Sequence, residues 1–189
     1  MYWRIRKYGP LDVLKKYGLH MVLVISLIFN FLLIVTRPNL KKLVTADVRT
    51  QLEIFARQVA IHILDTSYIS YGAATTSLLD PQNGELAQPV INYLRQQQLL
   101  PNTREELKAN IQTYTDQKRV VAIRIDNVNT GDAVVVNGQS LIPIDVSGVV
   151  AVHSADEAGP PTPFHFQILI GYRPNTQAPL VADFRDLSG

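Results

Sequence analysis

The sequence predicts an α+β protein: one N-terminal transmembrane helix, then a long helix, short helices and a curved, cone-like antiparallel sheet. Three observations predict it. Leu19 to Val35 read LHMVLVISLIFNFLLIV, a run apolar enough for a bilayer. About 20 such residues at 1.5 Å rise cross a hydrocarbon core roughly 30 Å thick. Residues 40–117 then repeat apolar side chains at three- and four-residue steps, and residues 119–187 at two-residue steps. The chain divides into a basic tail (1–18), a transmembrane helix (19–36) and an α+β domain (37–189), helical over 40–117 and a sheet over 119–187.

The run ends in Thr36-Arg37-Pro38-Asn39, which lacks the small-residue site of a cleaved signal peptide, so it reads as an uncleaved anchor. Arg4, Arg6, Lys7, Lys15 and Lys16 precede it, against Arg37, Lys41 and Lys42 after it. The positive-inside bias puts the N-terminus in the cytoplasm and the C-terminal domain across the membrane. Ser26 and Asn30 are one helical turn apart and share a face, the pattern of a helix that associates with another in lipid.

Beyond Pro38, Val44, Val48, Leu52, Phe55, Val59 and Ile63 form one apolar stripe on a helix that starts at Thr45 or Asp47 and ends at Asp65-Thr66-Ser67. The stripe is a core-facing side or, in the sharper reading, a coiled-coil stalk joining copies of the chain. TSYISYGAATTSLLDPQNG holds a short helix and a bend. GELAQPVINYLRQQQLL is helical, with Pro89 in a first turn that tolerates it. Thr103 and Glu106 make a capping box for REELKANIQTYTDQ. RVVAIRIDNVN is the first strand, Asn137-Gly138 a hairpin turn, and LIPIDVSGVVAVHS a long strand bulged or bent at Gly148. FHFQILIGYRP and APLVADFRDL complete the sheet.

Chemistry is sparse. The formal charge of +2 is nearly balanced and its basic excess sits around the membrane run, so direct nucleic-acid binding is not expected. The absence of cysteine excludes disulfides, thiolate metal sites and cysteine nucleophiles. No phosphate-loop, dinucleotide, zinc-protease or serine-hydrolase motif occurs. His20, His62, His153 and His165 fall in four separate elements; only His153 and His165, flanking one connection, offer a pair, with Asp156 or Glu157 nearby. Asp145 reads as an exposed strand carboxylate and His62 as a structural histidine. The expectation is no enzyme, no cofactor and no metal.

The order of parts, carried by FARQVAIHILDTSYISY, SLLDP, VVAIRIDNV, SGVVAVHS, FHFQILIGYRP and LVADFRDL, resembles the TraE-like bitopic inner-membrane scaffold proteins of conjugative type IV secretion systems. Their periplasmic domain is of the nuclear transport factor 2-like type. The likeness is one of layout, and the ADEAGPPTP loop and the QQQLLPNTREE connection depart from it. The resemblance implies a non-catalytic scaffold or assembly subunit in a bacterial inner membrane, with the C-terminal domain in the periplasm or outside the cell. It also implies self-association and contacts with other subunits of a membrane complex, beside the lipid bilayer itself. The surfaces would be Val48, Leu52 and Phe55 on the long helix, Ser26 and Asn30 on the anchor, and exposed strand edges near Tyr172 and Phe184. An accessory subunit of a respiratory or photosynthetic complex, or a tethered enzyme or ligand-binding cone, would share the layout.

Overall fold

The computed structural model describes Ser26, residues 46–80 and residues 83–188. The expected anchor lies outside the described residues except at Ser26, which is helical. Among the described residues no helix is long and apolar enough to cross a membrane.

Helix α1 spans Ala46–Leu64 and turns Leu52, Ala56, Val59, Ala60 and Ile63 inward. Small Ala56 and Ala60 let its backbone sit close to what it covers. Asp65 closes it, accepting the Ser67 N–H on its carboxylate at 2.9 Å. Helix α2 (Tyr71–Leu79) stops at Asp80, whose carboxylate and carbonyl take the Asn83 and Gly84 N–H groups at 3.2 and 2.8 Å. Helix α3 (Gln88–Gln96) accommodates Pro89 in its first turn, where no N–H is needed.

Helix α4 (Arg104–Asp116) carries the predicted cap in modified form. Thr103 Oγ1 accepts from Glu106 N at 3.1 Å, but the Glu106 carboxylate reaches back to Asn102 N at 2.7 Å, one residue upstream of the usual partner. With no buried residue on α4 to compensate, Thr103→Ala should lower stability by about 1 kcal/mol, read as a lower urea midpoint at unchanged slope.

The sheet comprises β1 (Val120–Thr130), β2 (Val134–Val136), β3 (Gln139–His153), β4 (Thr162–Tyr172) and β5 (Pro179–Asp186). Its order is β1-β3-β4-β5, all antiparallel, with β2 pairing the start of β3. Asn137 and Gly138 join β2 to β3 with φ of 50° and 78°, the left-handed pair of a two-residue hairpin. Pairs Ile125–Gly148 and Asn127–Ser147 leave Asp126 unmatched, a bulge on β1 opposite Gly148. A second irregularity, at Leu169/Ile170, leaves Ala182 extra on β5. Bulges increase local twist, which curves the sheet.

Cross-strand pairs Ile142–Ile170, Ile144–Ile168 and Val146–Phe166 set one sheet face. These side chains join Phe164, Val181, Phe184 and the inward residues of α1, α2 and α3 in one core. The opposite face carries Asp145–Gln167 and Ser147–His165. The α+β expectation, helices first and an antiparallel meander last, matches the architecture.

Candidate interaction surfaces

The apolar stripe of α1 is its core side. Leu52 is 2 % exposed and Val48 and Phe55 are half-buried against the same cluster. Two polar links hold the N-terminal half of α1 to the sheet: Arg49 donates to the Thr130 carbonyl at 3.3 Å, and Thr130 Oγ1 donates to Glu53 at 2.8 Å. Leu52 is therefore corrected from a partner-facing residue to a packing residue, and the stripe that would form a stalk is already occupied within the domain. What α1 shows to solvent is Ile54, 60 % exposed, and Ile61 two turns later, 36 % exposed.

Phe184 is likewise corrected. It is 3 % exposed, with its ring 5.0 Å from Phe166 and 6.2 Å from Tyr93. The Ala182 bulge shifts the alternation of β5 by one, which turns Phe184 inward. Tyr172, 43 % exposed at the end of β4, does reach the surface, and partial burial raises its hydroxyl pKa above the ordinary tyrosine value. Ser26 is exposed; Asn30 lies outside the described residues.

The sheet edges are only partly open. Residues 85–87 lie along β5, with Val181 N donating to Glu85 O and Ala87 N to Val181 O, both at 2.9 Å. Both ends of β1 are tied as well. Near its start, Tyr68 N donates to Arg119 O and Val121 N to Ser67 Oγ, each at 2.9 Å; at its end stands the Arg49 link. Between these ties the outer edge of β1 has no strand beside it among the described residues. Val134, Val135 and Val136 of β2 are all exposed, Val135 at 61 %. An uncovered edge of β-branched residues is a template for another strand.

The histidine pair that the sequence offers, His153 and His165, does not come together. His165 pairs with Ser147, six residues before His153 on β3, which separates the two histidines by about 20 Å. His165 Nε2 instead lies 3.9 Å from Asp145, which also accepts from Gln167 at 3.2 Å on the open sheet face. No group of three ligating side chains stands together among the described residues.

Sequence reading passed over Glu85. It is 9 % exposed and gathers His62 Nδ1 at 2.9 Å, Ser77 Oγ at 3.2 Å and Gln58 Nε2 at 3.4 Å. All its partners are helix groups, from α1 and α2, which suits a structural clamp. Only its place between a Gly turn and an apolar Leu86 could have marked it.

Two solved periplasmic structures share this fold. One is a periplasmic fragment of TraM, at TM-score 0.53 and 11% identity, covering 73% of this chain and 96% of that one. The other is the periplasmic domain of DotI, at TM-score 0.52 and 15% identity, covering 75% of this chain and 94% of that one. No protein-family model and no curated protein matches the sequence. At such identities the likeness establishes the fold, and it falls on TraM and DotI where the sequence layout suggested TraE-like proteins.

Proposed function

We propose that this chain is a non-catalytic structural subunit of a bacterial type IV secretion complex, with its α+β domain in the periplasm. The fold shared with the periplasmic domains of two type IV secretion-related proteins is the observation that carries the reading. The apolar run at 19–36 and the basic excess before it supply the single-pass anchor and the cytoplasmic N-terminus. Ser26 and Asn30 provide a polar face for association with a second anchor helix, the route to a homo-oligomer. Tyr172 and the open stretch of β1 are the places for other subunits. The finer assignment, a TraE-like conjugation scaffold, rests on the sequence layout.

The test is a mild-detergent pull-down of the chain from its native membranes, with co-purifying proteins identified by mass spectrometry. Secretion ATPases and channel subunits are the expected result. Recovery of stoichiometric respiratory or photosynthetic subunits in their place would overturn the proposal and make the domain an accessory docking module.

A further inference from the structure

At one end of the domain, the last turn of α4 and the start of β1 enclose a cavity that the scaffold reading does not use. Lys118, with φ of 47°, reverses the chain after α4. Arg119 N then donates to Tyr114 O at 2.9 Å, and the Arg119 guanidinium lies 4.7 Å over the Tyr114 ring. Tyr71 meets Tyr114 edge-on at 4.9 Å, and its hydroxyl accepts from Asn110 at 3.2 Å. Together these side chains frame a cavity of about 300 Å³. Ile63, Leu99, Leu100 and Val150 give it an aliphatic side, and Thr66, Gln98 and Glu106 add polar groups to the wall. A second, wider hollow of about 500 Å³ shares Arg119 and Val152 with it and leads outward.

Two polar atoms in this wall are buried without a hydrogen-bond partner among the described residues: Arg119 Nε and Thr66 Oγ1. Such atoms are uncommon, because a buried unpaired donor costs about 1–3 kcal/mol. No carboxylate of a described residue lies within 4.0 Å of the Arg119 guanidinium, whose charge is met instead by the face of the Tyr114 ring. Burial and the neighbouring Tyr71 raise the Tyr114 pKa, outweighing the lowering by Arg119, so its hydroxyl is a neutral donor at physiological pH. Glu106 in the wall is already engaged with Asn102 N, while Asp156 and Glu157 line the outer hollow and disfavour polyanions.

We propose that this cavity binds a small amphipathic monocarboxylate, its carboxylate on Arg119 and its apolar body against Ile63, Leu99, Leu100 and Val150. One guanidinium suits one carboxylate, and the volume matches the lower end of small-ligand sites. The neighbouring acids select against phosphates and dicarboxylates. This inference does not depend on the scaffold role, since the site faces neither Tyr172 nor the edge of β2.

The full chain in lipid nanodiscs, titrated with 3-phenylpropanoate and followed by ligand-observed NMR against empty nanodiscs, tests it. Saturable binding is expected, weaker by about tenfold for Arg119→Gln and for the neutral 3-phenylpropanamide, as loss of a charge-assisted hydrogen bond gives. Leu99→Trp, which leaves Arg119 in place and fills the hollow, should abolish binding even if Arg119→Gln fails to fold. Absence of saturation up to about 10 mM, equal binding of acid and amide, or undiminished binding by Leu99→Trp would overturn the proposal.

Discussion

Gly148→Ala is expected to destabilise the domain by about 3 kcal/mol, the upper part of the range for forcing an extra methyl group into a packed site. A Cβ built on Gly148 would stand 2.0 Å from Arg124 O and 2.9 Å from Ile125 Cα. Both obstacles are backbone, so no side chain can swing aside. Relief would require the β1 bulge at Asp126 to move, and the cross-strand pairs on either side of it hold that bulge in place. Gly138→Ala is the matched control. It has nothing within 4 Å of its added Cβ and bears only the strain of φ +78°, about 1–2 kcal/mol. Denaturant unfolding of both variants checks the ordering; equal losses would mean that the bulge yields and that Gly148 is not what shapes the sheet.

The contrast between these glycines bears on what a sequence makes legible. Asn137-Gly138 advertises its turn locally, because both residues must adopt left-handed backbone that few others tolerate. Gly148 stood out only as a glycine inside a strand, and its reason is on another strand 24 residues earlier, at Arg124. The α1 stripe was legible for the same local reason as the hairpin: its apolar spacing fixes a face. The spacing leaves open whether that face meets the sheet of the same chain or a helix of another. The Arg49 and Glu53 links to Thr130, about 80 residues away, decide that question. Phe184 was misplaced because the Ala182 bulge is invisible in a two-residue alternation, and one extra residue exchanges the faces of everything after it.

Binding features were less legible than the fold. Arg119 reads as one more basic residue at a helix-to-strand junction, and only the left-handed Lys118 brings it back over Tyr114. Thr66 belongs to a run of polar residues that marks a helix end, and its buried hydroxyl belongs to a residue that shares a cavity wall with α4 and β3. Cavities arise between elements distant in sequence, and their walls leave no period to read.

Glu85→Ala should lower stability by about 3 kcal/mol, as expected when the shared acceptor of a hydrogen-bond cluster is deleted and its partners are left unsatisfied. The carboxylate joins α1, through His62 and Gln58, to α2, through Ser77. Its backbone meanwhile holds β5 through Val181. Glu85→Gln retains an acceptor for Ser77 and an amide for His62, and its loss should be nearer 1 kcal/mol. Urea midpoints for both, beside exposed Glu105→Ala as the baseline, measure the difference. If Glu85→Ala unfolds at the Glu105→Ala midpoint, the cluster contributes nothing net and His62 is a bystander. The loss also has a consequence for assembly. Residues 85–87 cover the β5 edge at Val181, and loosening their anchor frees backbone groups there to pair with another chain. Glu85→Ala should therefore self-associate more than Thr103→Ala at matched stability, a comparison that light scattering reads directly. Equal scattering would show that the edge stays covered without the clamp, and that strand addition to this domain must use β1 or β2 instead.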